Sequence, residues 1–373
     1  MKITDVTVRR VDVPHPHPYR HQWSPPNFLE RSREASIIKI STDTGLVGWG
    51  ITHMDHDAAI RAVVAPALRG QDPRALGRHI QVIRATQAFV VDTALCDLVG
   101  KAAGAPLHHL WGFNETRIRA YASTVVASTP EQRAEDAVRY LEQGFTAIKL
   151  RTAFPTMAED IALVAAVRAA VGDRMEIMVD ANLAGGIGHI GREIWSFDRA
   201  LATARELEQL GVVWLEEPLA RDDIQSIARL TAETEIAIAG GEGDVGYETF
   251  VALLHAGAYD ILQLDATICE GLSQFIGIAG AADFAGRQVI PHHGGTGVGI
   301  AAHLQFGVCV PNCPYMEFIL DSPYRTVEHY QQLGGIVAEP VWIDAEGFVD
   351  VPTGPGLGME VNEEAIEEYE VDA

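Results

Sequence analysis

EIMVDAN (176–182), VVWLEEP (212–218) and IAIAGGE (236–242) are three apolar runs that each end in or near an acid. Asp180, Glu216 and Glu242 lie 36 and 26 residues apart, spacings that leave room for a helix between successive strands. A carboxylate at the C-terminal end of a strand points into the crevice where α/β sheets bind ligands. Three converging there repel one another unless a cation holds them, and hard oxygen ligands in that number suit Mg²⁺. Asp180, Glu216 and Glu242 are therefore the candidate metal ligands.

Five further runs extend the series: RAYAST (119–124), TAIKLR (146–151), DILQLD (260–265), QVIPHH (288–293) and PYMEF (314–318). Amphipathic stretches such as EQRAEDAVRYLEQG (131–144) and AEDIALVAAVRAAVG (158–172) separate them. This alternation predicts βα units on a parallel sheet. Eight runs over about 200 residues fit a (β/α)₈-type barrel, with its active site at the C-terminal strand ends. A doubly wound open sheet is the alternative.

The first 112 residues read differently. KITDVTVRRVDV (2–13), ASIIKISTDTG (35–45) and LVGWG (46–50) alternate as strands do, with a hairpin turn at TDTG. PHPHPYRHQWSPPNF (14–28) between them has no periodicity and reads as a binding loop or lid. Residues 56–112 are helical in pattern. VVDTALCDLVGKAAG (90–104) places Val91, Leu95, Leu98 and Val99 on one face and stops at Gly104. The expected organisation is an α+β capping unit over 1–112, a barrel over 113–330, and a segment over 331–373 that returns to pack on the first unit.

A chain of 373 residues with 47% apolar and 21% charged residues is an ordinary globular protein large enough for two units. Its net charge of −23 argues against nucleic acid and anionic membranes as partners. Part of the acidity lies in NEEAIEEYEVDA (362–373), which reads as a solvated tail. The four cysteines form no CxxC pair and suggest neither disulfides nor zinc. Without a leader or a long apolar run, the expected location is cytoplasmic.

Strand parity assigns faces to the polar residues. Lys149 and Arg151 share the inward face, as do Asp180 and Asn182. Glu217 alternates away from Glu216 and reads as structural. The sixth run ends at Asp265, the seventh at His292 and His293, and the eighth carries Glu317. His293 is expected to face away from His292.

Taken together, these features resemble the enolase superfamily, in its mandelate racemase subgroup. The resemblance covers nearly the whole chain and rests on DTALCDLVGKAAGAPLHHLWG (92–112), KLR (149–151), the DAN, EEP and GGE runs, PHHGG (291–295) and PGLGMEV (355–361). It implies a capping α+β domain over a modified (β/α)₇β barrel. It also implies a small-molecule carboxylate substrate, Mg²⁺ as cofactor, and a homo-oligomer, dimeric or octameric. The shared half-reaction is removal of the proton α to a carboxylate. The cation would offset the developing charge, helped by Lys149 and by a protonated Glu317. In this reading His292 is the base and Asp265 fixes its tautomer. Racemases of the family use a second Lys where this chain has Arg151, and guanidinium is a poor base. A one-sided base points to dehydration of an acid sugar to a 2-keto-3-deoxy acid. The alternatives are an epimerase, racemase or lactone cycloisomerase sharing the enediolate, and a catalytically silent sugar-acid-binding protein.

Specificity in the resemblance comes from two capping loops, mapping here to about 14–30 and 52–57. They offer Arg20, Trp23 and His53 as substrate contacts, with Arg151 and Asn182 from the barrel. Arg20 or Arg151 could pair with a distal carboxylate. Glu270 and Gly243 depart from the family pattern and are expected to reshape the pocket.

Overall fold

The computed structural model describes residues 1–185 and 194–372. Strands β1 (Ile3–Tyr19), β2 (Glu30–Thr42) and β3 (Val47–Thr52) form an antiparallel sheet. β2 and β3 pair across the TDTG turn, with Ser41 opposite Val47 and Gly45 at φ +83°. Part of the segment read as aperiodic loop is strand. β1 runs on through PHPHPY because Pro14, Pro16 and Pro18 all face outward, each fixing φ near the extended range, while His15 and Tyr19 face in. Helix Leu76–Thr86 packs against helix Val90–Ala103, which packs on this sheet. Val91, Leu95 and Leu98 are buried, and Gly104 ends the second helix in the left-handed conformation.

Eight parallel strands follow: β4 (Arg117–Ser123), β5 (Ala147–Arg151), β6 (Glu176–Asp180), β7 (Val212–Glu216), β8 (Ala237–Gly240), β9 (Ile261–Leu262), β10 (Gln288–Val289) and β11 (Tyr315–Ile319). Pairing runs β10-β9-β8-β7-β6-β5-β4-β11, so the last strand closes back on the first. Each of the first seven is followed by a helix of ten or more residues, from Pro130–Glu142 to Gly297–Gly307. Directly after β11 comes no long helix but the single turn Val327–Tyr330, so the described residues form the (β/α)₇β barrel. Local signals start these helices where they do. Thr129 with Gln132, and Thr156 with Glu159, make reciprocal capping boxes, and Ser196 and Asp223 cap two more.

Strand parity then builds the site. Ile148, Leu150, Ile177, Val179, Leu215 and Ile238 face the helices. Tyr121, Met178, Trp214, Ile261, Ile290 and Tyr315 fill the barrel interior as an apolar floor. Two residues further along β5, β6, β7 and β11, the same inward face carries Lys149 and Arg151, Asp180, Glu216 and Glu317.

The acidic tail is not a free solvated segment. β12 (Phe348–Asp350) pairs with β4, and β13 (Glu370–Val371) pairs with β1. Helix Glu363–Tyr369, capped by Asn362, lies between, and Lys39–Glu363 and Arg9–Glu370 ion pairs tie the tail to the capping sheet. Its acids keep their exposure while its Ala365 and Ile366 are buried.

Glu270 does not enter the pocket. It is wholly buried and takes a 2.7 Å ion pair from Arg84 of the capping helix, with further hydrogen bonds from Gly271 N and Tyr247 N. Arg84→Ala strands that carboxylate, and because Arg84 is one-third exposed we expect a loss of about 2 kcal/mol in chemical denaturation. Among the described residues no helix is long and apolar enough to cross a membrane.

Candidate active site

Lys149 is fully buried, its Nζ 2.8 Å from both Glu216 Oε1 and Glu317 Oε1. Burial disfavours its charge, but Glu216 and Glu317 outweigh this and hold its pKa above the ordinary value. Arg151 hydrogen-bonds Asp180 and donates to Ser123 Oγ (2.9 Å) and Thr124 O (3.1 Å). Trp214 of the floor donates its indole N–H to Glu216 at 3.1 Å. Burial raises Glu317, yet Lys149, His292 and Arg151 bring it down to about 2. Lys149 at 2.8 Å and Arg151 at 3.6 Å are the cations that face its carboxyl group.

The carboxylate oxygens of Asp180, Glu216 and Glu242 lie within 4.8 Å of one another and can hold a metal ion. An all-oxygen set of three acids fits a hard divalent cation. Glu242 lies beyond the end of β8, so strand alternation alone does not place it. Gly241, at φ +106°, turns the chain so that Glu242 joins the others, a backbone state that a residue with Cβ rarely adopts. Asn182 also arrives by a turn. At φ +51°, past β6, it donates its backbone and side-chain N–H to Asp180 at 2.7 and 3.0 Å. Glu217, at φ +46°, is buried beside Arg221 (3.6 Å), and burial together with Glu242 holds its carboxyl well above the usual range. Gly243 does not shape the cavity either: a Cβ there would fall 2.2 Å from the Arg221 guanidinium, so the glycine makes room for that side chain.

Across the barrel mouth, Asp265 Oδ2 holds His292 Nδ1 at 2.8 Å. The other oxygen of Asp265 accepts from Thr267 N (2.8 Å) and Thr267 Oγ (2.7 Å), and Gly294 N approaches Oδ2 at 3.2 Å. These bonds keep Asp265 ionised despite burial. His292 Nε2 lies 3.4 Å from Glu242. Burial lowers the imidazole, but Glu242 and Asp265 together raise it to about 9.

His293 does not face away. Its ring centroid is 3.8 Å from that of His292, and both line one cavity of about 340 Å³ with Arg151, Asn182 and Glu242. Backbone bonds from Ile290 N to Leu262 O and from His292 N to Leu264 O carry the ladder as far as His292, and alternation stops only at the next residue. Tyr330 OH and Gly295 N engage His293 Nδ1, and burial beside His292 keeps its pKa well below the ordinary value.

Trp23 and His53 line the cavity, with Arg151 over the Trp23 ring at 5.2 Å. Arg20 is absent from its walls. Its guanidinium instead donates to Ser24 O (2.9 Å) and His21 O, bracing its own loop. The cationic wall comes from Arg33, at the start of β2, and Arg325, just beyond β11. Sequence reasoning missed both. Arg325 had a usable signal, since it follows a barrel strand at its C-terminal end.

Residues 132–365 match the family description "Enolase C-terminal domain-like". Residues 5–112 match "Mandelate racemase / muconate lactonizing enzyme, N-terminal domain". The chain belongs to the enolase superfamily, in its mandelate racemase subgroup. Among members of this superfamily, D-galactarolactone cycloisomerase of Agrobacterium fabrum is 32% identical, covering 89% of this chain and 90% of its own. Arabinonate dehydratase of Saccharolobus solfataricus is 30% identical, covering 92% of each. The structure of L-talarate dehydratase from Polaromonas sp. JS666, complexed with Mg and L-glucarate, superposes with a TM-score of 0.84 at 26% identity, covering 100% of this chain and 98% of the other. Other superfamily relatives are named as two acid-sugar dehydratases, a cycloisomerase and an epimerase.

Proposed function

We propose that the protein is a Mg²⁺-dependent dehydratase of an acid sugar, giving a 2-keto-3-deoxy acid. The observation that carries this reading is the asymmetry of the pocket: one imidazole backed by a carboxylate on one side, and on the other Arg151, bound to Asp180 and unable to act as a base.

Asp180, Glu216 and Glu242 would hold the cation. Bound there, Mg²⁺ supplies Lewis-acid stabilisation of the charge that develops on the substrate carboxylate. Lys149 adds fixed positive charge beside the same group, and the apolar floor beneath it keeps that charge poorly screened. His292 Nε2 takes the proton from the α-carbon, while Asp265 on Nδ1 holds the tautomer and stabilises the imidazolium. The β C–O bond then breaks, His292 returns its proton to the departing hydroxyl as water forms, and the enol product tautomerises to the keto acid. Glu317, 2.8 Å from Lys149, holds that side chain in place.

Incubation of the Mg²⁺-loaded protein with a panel of aldonic and aldaric acids is expected to yield α-keto acid, detected with semicarbazide, and excess chelator is expected to suppress it. A panel that yields no keto acid overturns the reading. The cycloisomerase reading draws on the 32% identical Agrobacterium relative. It uses the same His292, and it predicts consumption of a lactone without keto acid.

A further inference from the structure

Arg33 is a buried cation without a counterion. It is 9% exposed, and among the described residues it has no carboxylate within ion-pair distance. Its Nη2 donates to Gly295 O, its face lies 5.1 Å over the Tyr330 ring, and its Nε has no hydrogen-bond partner. Close by, Arg325 spends Nη2 on Glu30 (3.1 Å) and Nε on the Tyr19 hydroxyl, and its Nη1 is also without a partner. Glu30 further meets His21 at 3.2 Å and His15 at 3.5 Å. Glu30 thus spends its ion pairs on Arg325, His21 and His15 and none on Arg33, and desolvation with the repulsion of Arg325 lowers Arg33 to about 10. Burying an unpaired charge is strongly destabilising, so a folded protein keeps one where a ligand supplies the partner.

The position of Arg33 identifies that partner. It lines the cavity that also holds His292, and with His53, His293 and Arg325 it also lines an adjoining hollow that His292 does not reach. Gly295, whose carbonyl accepts from Arg33, sits at φ +80°, and its Cα faces His53 Nδ1 and Arg33 Nη2. We infer that Arg33, with His53 and Arg325, forms an anion subsite for the second carboxylate of a dicarboxylic sugar acid, making aldarates the preferred substrates over aldonates. The inference rests on the sugar-acid reading above and narrows its substrate class.

The test is calorimetry on Mg²⁺-loaded protein in a His292→Asn background, where binding is read without turnover, using six-carbon aldarates and aldonates of matched stereochemistry. Arg33→Met is expected to weaken aldarate binding roughly 10- to 100-fold, the span of a charge-assisted hydrogen bond, and to leave aldonate binding unchanged. It is also expected to leave the apo-protein's thermal stability undiminished, which loss of a merely structural arginine would not. Should that variant not fold, Arg33→Lys keeps the charge, loses the planar fork and is expected to show a smaller loss confined to aldarates. Equal effects on both acids, no effect, or no binding of either overturns the subsite. An aldarate-specific loss in a protein that never forms keto acid would retain the subsite and overturn dehydration instead.

Discussion

Replacing His292 by asparagine is expected to lower kcat by about 10³-fold and to abolish exchange of the substrate α-proton with solvent, since positioned general bases contribute 10²–10⁴. Asparagine can hydrogen-bond Asp265 but cannot take up a proton. Asp265 keeps its bonds from Thr267 and Gly294, so the loop should hold its place. Loss of both readouts together marks the base. His293 cannot substitute for it, because its Nδ1 accepts from Gly295 N, which leaves the ring proton on Nε2. A variant that keeps full α-proton exchange would place the base elsewhere.

The second large effect is on stability. Lys149→Met leaves Glu216 and Glu317, both fully buried, without the cation that separates them. Removing one partner from a buried ion pair costs about 3–5 kcal/mol. Urea denaturation in chelator is expected to show a loss of that size. Saturating Mg²⁺ should recover part of it, because a ligand bound only by the native state stabilises it and the acid cluster then has a counter-charge. A loss below about 1 kcal/mol in chelator would mean that the two acids are not held by Lys149 as described.

Much of the fold could be read before the structure, for a physical reason. In a barrel strand the same two-residue period that buries Met178 and Trp214 lifts Asp180 and Glu216 to the rim. Apolar runs that end in an acid therefore report strand, face and site at once. The face of His293 was misread where that period stops, one residue past the last backbone bond between β10 and β9, whereas Glu242 and Asn182 reach the cavity as read, but through left-handed turns. Arg33 lies in a strand of the other sheet, and its relation to His293 depends on how the cap sits over the barrel. Nothing local to residue 33 encodes that contact. Arg20, four residues from Ser24, could satisfy its donors within its own loop and did so.

The most direct test of dehydration is to follow the Mg²⁺-loaded protein by proton NMR in D₂O with the acid sugar that it turns over. The mechanism predicts a 2-keto-3-deoxy acid carrying one solvent deuteron at carbon 3, and no build-up of epimer. Exchange of the α-proton with recovery of the starting acid or its epimer, and no keto acid, would contradict it and assign the pocket to isomerisation.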